Sequence, residues 1–526
     1  MTTAPDVHAD ADEAVEPRRW WTLGVLCLSL TLVMVSNASL NVALPSIARE
    51  LNATSSDLQW IVDAYGLVFA GMLFAAGTLG DRFGRKGALQ GGLALFLVAA
   101  ALGARADTSE MVIAARATMG LGAAFVMPST LSILTNVFPA HERARAISMW
   151  AGIAAGGAAL GPPTSGFLLE HFWWGSVFLL TVPITAVALI AGHRLVPTSR
   201  DPDETRLDVP GALLSVVGIG ALVYAIIEGP EAGWASAATL GTLAFAVVAI
   251  AAFFTWESHS SHPMLDLTLF RDRRFSVASA GIGLAFFTMF GIFFLITQLF
   301  QLVHGLSPLA AGLMILPMSF TLMLVSPRAA SLVDRFGVDR VVPTGLATIG
   351  GALALLAGLS QLDSVWWVEL ALVPLATGMA ITMSPLTTLI MSAVPRSRAG
   401  MGSAMNDATR ELGGALGVAI LGSLASTVYV SRLPTLDGFA PDAASEVRDG
   451  LAGAIANAPE LSNGRPTVFL DSARDAFLGG MFVALVAAAA LAFAAALAAR
   501  RWLPRSAATD TTEQPTARII GAVGGS

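Results

Sequence analysis

GTLGDRFGRK, from Gly77 to Lys86, is a short polar stretch between two long apolar runs. It contains three glycines, an Asp81–Arg82 pair, and the cations Arg85 and Lys86. The Asp-Arg-Phe-Gly core occurs again in SLVDRFGVDR, from Ser331 to Arg340, also between apolar runs. A motif that recurs in this way indicates two related halves, an organisation typical of membrane transporters.

The composition of the chain is that of a membrane protein. Hydrophobic residues make up 55% and charged residues 13%, whereas soluble domains carry about 25% charged residues. Apolar runs of about 20 residues recur, and each is long enough to cross a bilayer as a helix. Strand-like alternation is absent, which excludes a membrane barrel. The single cysteine, Cys27, excludes an internal disulfide. We therefore expect an all-α integral membrane fold.

The apolar runs predict fourteen membrane helices, arranged as two pseudo-symmetric six-helix bundles with two extra helices between them. The predicted spans are 20–40, 58–79, 87–105, 110–136, 145–168, 174–193, 209–228, 236–256, 275–301, 308–328, 340–360, 366–392, 405–430 and 475–499. The expected domains are a disordered tail at 1–17, an N-terminal bundle at 18–195, linker helices at 196–274, a C-terminal bundle at 275–502, and a disordered tail at 503–526.

Basic residues are distributed unevenly between the two faces that these spans define. Two arginines, Arg116 and Arg410, fall inside spans. When the loops are assigned to alternate sides, one face carries only Arg49, Arg105, Arg432, Arg448, Arg465 and Arg474. The other face receives the remaining arginines together with Lys86. The positive-inside rule therefore predicts that both termini lie in the cytoplasm.

The segment 432–474 is predicted to be a long external loop, rich in alanine and acidic residues. This composition favours a solvated loop with a surface helix. A functional lid is the alternative.

Six further motifs accompany the loop motif. They are LNVALP (Leu40 to Pro45), LQWIVDAY (Leu58 to Tyr65), ARATMGLGAA (Ala115 to Ala124), GAALGPPTSG (Gly157 to Gly166), DVPG (Asp208 to Gly211) and TRELGGALGVAILG (Thr409 to Gly422). With these motifs the chain resembles the fourteen-span drug:proton antiporters of the major facilitator superfamily over nearly its whole length. The resemblance implies a transporter that alternates access between two six-helix halves.

Three positions depart from the pattern of that family. Ser36 stands where many relatives have an acidic residue, and Met119 stands where the fourth-span motif often has glutamine. Ser165 replaces the first of two closing glycines in the fifth-span motif. The first departure weakens any proton stoichiometry transferred from the family.

The loop motif has the residues of a conformational latch. Its glycines allow two helix ends to approach closely, and its charged residues can pair with helix termini or with acids across the bundle. In the resembled family such a latch steadies the outward-facing state. Positive charge that only sets topology is the alternative. The candidate latch residues are Gly77, Gly80, Asp81, Arg82, Gly84, Arg85, Asp334 and Arg335.

The fifth span combines small residues with prolines, which allow close helix contact and remove backbone hydrogen bonds. The resemblance implies that Gly157, Gly161, Pro162 and Gly166 form a bend tied to antiport, and ordinary helix packing is the alternative. Gly413 and Gly417 lie at equivalent positions in the other half.

Ionisable residues inside the spans are few, and charge at mid-membrane is costly enough that it usually serves function. Asp63 is the first candidate proton carrier, because a desolvated carboxyl can bind and release a proton near neutral pH. Arg116 stays charged, so its expected role is to modulate a carboxylate. Asp407 and Glu411 are further proton-coupling candidates, with Arg410 between them. The alternatives are interfacial pairing for Asp63, a structural salt bridge for Arg116, and a position at the cytoplasmic edge for the span-thirteen group.

The ninth span is rich in aromatic residues that suit a cavity for apolar or cationic ligands. The candidate substrate residues are Phe286, Phe290, Phe294 and Gln298, and a lipid-facing role is the alternative.

These features predict a proton-driven exporter of small hydrophobic or cationic compounds, with a proton symporter or an uncoupled facilitator as the alternative. The expected partners are the substrate, protons and the lipid bilayer, with a monomeric state, no nucleic acid and a bacterial plasma membrane location. No phosphate-loop motif is present. No cluster of histidine or cysteine with ligand spacing lies in a span. Catalysis, cofactors and metals are therefore not expected.

Overall fold

The computed structural model describes residues 18–198, 208–260, 263, 267–393, 399–436, 440–460 and 466–503. Within these ranges the chain is helical, and the described part contains no β-strand. The all-α expectation is confirmed. The predicted tails at 1–17 and, apart from Leu503, at 503–526 lie outside the described residues.

The N-terminal half consists of seven helices. They are α1 (Arg19–Leu51), α2 (Ser55–Phe83), α3 (Arg85–Gly103), α4 (Ser109–Val137), α5 (Ala140–His171), α6 (Ser176–Leu179) and α7 (Thr181–Leu195). Because α6 and α7 follow each other with only Leu180 between them, they form one run, Ser176–Leu195, at the sixth predicted span.

Two linker helices and the C-terminal half follow. The linkers are α8 (Val209–Ala232) and α9 (Ala237–His259), with a 3₁₀ turn at Leu267–Arg271. The next helices are α10 (Arg273–Gln298), extended by a π turn at Leu299–Val303, then α11 (Pro308–Leu313), α12 (Leu316–Phe336), α13 (Val338–Leu359), α14 (Val365–Ala393) and α15 (Ala399–Arg432). The remaining elements are α16 (Pro441–Asp449), α17 (Leu451–Asn457), a 3₁₀ turn at Ala458–Glu460, and α18 (Pro466–Trp502).

By length and composition, twelve helical runs of the described chain could cross a membrane. α2 and α5 are not among them, although they contain 29 and 32 residues. Both helices contain residues whose side chains lie outside the described part of the chain. Each of the fourteen predicted spans lies largely on helical residues, and the spans 174–193 and 308–328 each cover two consecutive helices. That all fourteen cross a membrane stays a prediction.

The repeated loop motif has the same backbone form in both halves. Gly84 is the single residue between α2 and α3, with φ +116°, and Gly337 is the single residue between α12 and α13, with φ +83°. These left-handed conformations suit glycine, which lacks the Cβ that would strain them. The matching joints support the prediction of two related halves.

We call the end of the bundle where α1 begins the near end, and the end where α1 finishes the far end. The two halves are joined tightly towards the far end. The side-chain Nε2 of Gln301 donates to the carbonyl of Val42 at 2.8 Å. A Cβ added at Gly166 would lie 2.5 Å from Cα of Leu309, so these backbones are in direct contact.

Candidate functional site

Arg116 of α4 lies at the centre of the N-terminal half and is fully buried. Its Nε donates to the carbonyl of Ile61 at 3.0 Å, and its Nη2 donates to Oδ1 of Asn37 at 3.4 Å. Its guanidinium carbon lies 4.3 Å from the centre of the Tyr65 ring. Stacking and hydrogen bonding therefore fix the charge between α1, α2 and α4, and whether Arg116 acts in proton transfer or is only structural stays a prediction.

Asp63 of α2 is also buried, with 1% of its surface exposed. Neither carboxyl oxygen has a hydrogen-bond partner within the described chain. Asp63 lines a cavity of about 10 Å³, which is room for about one water molecule. An unpartnered buried carboxyl is costly to keep ionised in such surroundings.

Glu411 of α15 lines the same cavity as Asp63 and is contributed by the opposite half of the protein. A Cβ added at Gly66 would lie 3.3 Å from Oε2 of Glu411. The missing side chain at Gly66 thus allows the Glu411 carboxyl to lie against α2. The other lining residues are Asn37, Val62, Tyr65, Phe290 and Ala415.

Asp407 and Arg410 of α15 form a pair next to Glu411 in the sequence. Nη1 of Arg410 lies 3.6 Å from Oδ1 of Asp407. Arg410 also donates to Oγ1 of Thr387 at 3.4 Å, and its guanidinium carbon lies 5.3 Å from the Phe286 ring centre. Arg410 therefore offsets the charge of Asp407. Glu411 instead reaches the cavity that Asp63 lines, which we call the central cavity.

The four aromatic and amide candidates of α10 are not in one place. Phe290 lines the central cavity, and Phe286 lies beside Arg410. Phe294 is buried, and Gln298 lines a different cavity at the far end. The structure brings only Phe290 to the cavity that Asp63 and Glu411 share.

The candidate latch residues lie at the near end. A Cβ at Gly80 would lie 3.2 Å from Cβ of Ala88, so the start of α3 is close to α2 there. Gly77 is in ordinary contact with Pro128, and Arg82 lies over the Phe83 ring. Asp334 and Arg335 are exposed. The side chain of Asp81 lies outside the described part, and the role of the whole group stays a prediction.

The fifth-span motif packs against both halves. A Cβ at Gly161 would lie 2.7 Å from Cβ of Ala38 in α1, and a Cβ at Gly157 would lie 3.1 Å from Cγ2 of Thr31. On the other side, a Cβ at Gly312 in α11 would lie 2.5 Å from the carbonyl oxygen of Pro162. The motif therefore lies where α5 packs closely against α1 and α11.

Several residues of this region were not predicted from the sequence. Ser165 donates to the carbonyl of Ser39 at 2.8 Å, and Ser39 donates to the carbonyl of Gly161 at 3.0 Å. Tyr65 and Asn37 contact the guanidinium of Arg116. Tyr65 lies two residues after Asp63, but only the packing of α4 against α2 shows which ring face meets the arginine.

No group of histidine, cysteine and acidic residues suited to a metal ion occurs within the described ranges.

A profile described as Major Facilitator Superfamily matches residues 26–418. The chain belongs to the major facilitator superfamily. It is 37% identical over 480 residues to the multidrug efflux pump LfrA of Mycolicibacterium smegmatis, covering 91% of this chain and 95% of that protein. It is 36% identical over 517 residues to the multidrug resistance protein Stp of Mycobacterium tuberculosis, covering 95% of each. The methyl viologen resistance protein SmvA of Salmonella typhimurium is 34% identical over 485 residues, with 90% of this chain and 96% of that protein covered.

Solved structures of this superfamily share the fold. An inward-facing, occupied structure of a bacterial homologue of the lysosomal transporter Spinster matches with a TM-score of 0.66 at 17% identity, covering 93% of this chain and 98% of that one. A peptide transporter bound to sulfate matches with a TM-score of 0.61. Superfamily membership and this fold identify a membrane transporter, not an enzyme.

Proposed function

We propose that this transporter is a proton-driven exporter of small hydrophobic or cationic compounds and works by alternating access. The observation that carries the proposal is the central cavity, because Asp63 of one half and Glu411 of the other half both line it. Each half contributes one carboxyl to this cavity. The distance between the two carboxyls, and therefore the site for protons and substrate, changes when the halves move relative to each other.

The proposed proton carriers are the two cavity carboxyls, with Asp407 as a further acid nearer the near end. A charge at mid-membrane costs at least about 2.5 kcal/mol on insertion scales, so such residues are expected to serve function. Arg116 is the fixed positive charge that favours proton release when the halves bring it closer to a carboxylate. Proton binding and cation binding then compete for the same oxygens, which couples the two flows.

The substrate class follows from the lining of the cavity. Phe290 offers an aromatic ring, and Asp63 and Glu411 offer negative charge. Aromatic faces and carboxylates together favour lipophilic cations. The relatives named as multidrug efflux and methyl viologen resistance proteins support this class. The outer candidates, which are the aromatic residues Phe286 and Phe294 and the amide Gln298, would then contact substrate only along its path.

The proposed conformational elements are the near-end latch around Gly84 and the fifth-span motif at Gly157–Gly166. The latch holds α2 against α3 through a short glycine joint. The fifth-span motif keeps α5 in direct backbone contact with α1 and α11. Both roles are supported by the close contacts at their glycines.

The proposed topology has fourteen spans with both termini in the cytoplasm of a bacterial plasma membrane, and a monomeric transport unit. The near end is then cytoplasmic, and the tight far end is external, so this structure is closed to the outside. A membrane-impermeant maleimide applied to intact cells tests the orientation. It should label a cysteine at Ser445, which is exposed at the far end, and should not label one at Gly87, which is exposed at the near end. The reverse labelling would contradict this topology.

Energetically the proton gradient is sufficient. One proton crossing 100 mV supplies about 2.3 kcal/mol, which supports roughly a 50-fold gradient of a neutral substrate. Exchange of one proton for a monovalent cation moves no net charge, so the pH gradient supplies its energy.

Proton release from inverted vesicles tests coupling. Vesicles energised to an acid interior, with a pH-sensitive dye, receive methyl viologen or a lipophilic cation. We expect proton release in wild type, loss of release in Asp63→Asn, and normal release in the control Asp107→Asn, because Asp107 is an exposed loop residue. Compound uptake that ignores a protonophore would instead indicate an uncoupled facilitator. Proton uptake together with compound would indicate symport.

A further inference from the structure

The segment between α15 and α18 forms a small folded unit at the far end. We define the cap as α16, α17 and the following 3₁₀ turn, Pro441 to Glu460. Its buried residues are Ala443, Val447, Leu451, Ala454, Asn457 and Ala458. Oη of Tyr429 in α15 donates to the carbonyl of Val447 at 2.9 Å. The cap therefore consists of surface helices with a buried side that packs against the C-terminal half.

The cap also contacts the N-terminal half. A Cβ added at Gly450 would lie 2.9 Å from Oγ of Ser55, at the start of α2. Leu451 and Ala454 belong to the same apolar core as Ile47 and Leu58. The cap thus bridges the two halves over the ends of α1 and α2.

A cavity of about 30 Å³ lies under this bridge. The N-terminal half contributes Arg49, Asn52 and Ser55 to its lining, the C-terminal half contributes Gln298, and the cap contributes Glu446 and Asp449 among others. The far end is therefore closed by an interface that contains polar and ionisable side chains.

Negative charge is concentrated at the point where the cap meets α2. Asp449 ends α16 and is half-buried between the cap and α2. Asp57 lies in the first turn of α2, where its Oδ2 accepts a hydrogen bond from the backbone N–H of Thr54 at 3.0 Å. Glu446 of α16 accepts from Nδ2 of Asn457 at 2.7 Å. These two hydrogen bonds hold Asp57 and Glu446 in place beside Asp449.

We propose that the cap is a proton-sensitive closure of the far end, in which protonation of Asp449 holds the cap against α2 and ionisation of Asp449 releases it. The interface geometry is the basis, because an ionised Asp449 faces like charges from α2 and from its own helix. Arg49 of α1 is the cation that faces the cavity, Tyr429 is the titratable neighbour from α15, and Arg448 is exposed.

The direction of the effect follows from the ionisation of Asp449. Burial, the charge of Asp57 and the charge of Glu446 together raise the pKa of Asp449 to about 6. When the cap is open this carboxyl has its ordinary pKa near 4. Asp449 therefore binds its proton more tightly in the closed state. The closed state is fully favoured below about pH 4, and this advantage is lost as the pH rises through about 6. The ratio of closed to open protein should fall by about ten- to a hundred-fold over this range.

Whether Asp449 responds to the external or the cytoplasmic pH rests on the proposed topology, in which the far end is external. Closure itself is a property of the structure and does not require transport. A spectroscopic measurement on the full-length protein therefore tests the cap whether or not the transporter is coupled to protons.

The experiment is a pulsed electron–electron distance measurement in lipid nanodiscs. Cys27 is replaced by serine, and spin labels are attached at Ser445→Cys on the cap and Met111→Cys in α4, both exposed positions. Distances are recorded at pH 4.5 and pH 8. We expect one short distance at pH 4.5 and a growing long-distance population at pH 8.

Two variants decide the assignment. Asp449→Asn should keep the short distance at both pH values, because the neutral amide fits the same place without repulsion. Asp442→Asn, a change at an exposed acid of the same helix, should keep the pH response of the parent. A distance distribution that is the same at both pH values in the parent would overturn the proposal. An unchanged pH response in Asp449→Asn would overturn it equally.

Discussion

The guanidinium of Arg116 stacks on the ring of Tyr65, with its carbon 4.3 Å from the ring centre. The same arginine donates from Nε to the carbonyl of Ile61, four residues before Tyr65. One turn of α2 therefore holds the charge by both its backbone and its side chain. Asp63 lies on this turn, so the two candidate coupling residues have a fixed relationship.

Replacing Arg116 with lysine should abolish coupled transport while leaving the fold intact. A lysine keeps the charge but loses the planar stack and the Nε hydrogen bond, interactions worth about 2 kcal/mol each when buried. We expect a fall of at least about tenfold in proton-coupled uptake by inverted vesicles. Tyr65→Phe keeps the ring and should stay within about twofold of wild type. Normal coupling in Arg116→Lys would contradict a role for the stacked geometry.

Alanine at Gly413 or Gly417 should destabilise the C-terminal half. A Cβ at Gly413 would overlap the carbonyl of Gly283, and one at Gly417 would overlap the carbonyl of Phe287. Because both obstacles are backbone atoms of α10, the helices would have to separate, at about 2–3 kcal/mol per site. Thermal unfolding in detergent measures this. Gly351→Ala, where no atom lies within 4 Å, is the matched control and should not lower the midpoint.

The glycine joint of the loop motif gives a separate test. Gly84 has φ +116°, a conformation that strains any residue with a Cβ. Gly84→Ala should lower stability by about 1–2 kcal/mol. Gly87→Ala, three residues later on an open helix surface, should be neutral or slightly stabilising. Equal midpoints for the two variants would show that the joint tolerates a side chain.

A hydrogen bond joins the linker helix α8 to the C-terminal half at the carbonyl of Ile226, which a proline four residues later leaves without its helical donor. Pro230 has no N–H, so the carbonyl of Ile226 lacks its helical donor, and Oγ of Ser423 donates to it at 2.8 Å. Ser423→Ala should cost about 1–2 kcal/mol in the free energy of unfolding. In a Pro230→Ala background, which restores the backbone donor, the same change should cost clearly less. An equal cost in both backgrounds would rule out this pairing.

Much of the fold could be predicted from the sequence, because long apolar runs in a membrane protein leave few alternatives to helices. The two halves were visible in the repeated Asp-Arg-Phe-Gly core, and the matching joints at Gly84 and Gly337 agree with it. Asp63 and Arg116 were recognisable because ionisable residues within spans are rare.

The partners of those residues could not be predicted, since they depend on how separate helices pack. Nothing in the sequence near Gly66 indicates that Glu411, from the other half, lies against it. The cap carried a further signal, beyond the prediction of a solvated loop with a surface helix. Val447, Leu451, Ala454 and Ala458 follow helical spacing, and all four are buried.

The most direct test of proton-driven export uses purified protein in liposomes with the membrane voltage clamped by potassium and valinomycin. A gradient of one pH unit, acid inside, is imposed on inside-out transporters, and methyl viologen accumulation is measured. Exchange of one proton per compound predicts about tenfold accumulation, collapse on adding a protonophore, and none for Asp63→Asn. Equal internal and external concentrations at every imposed gradient would contradict proton coupling and leave a facilitator.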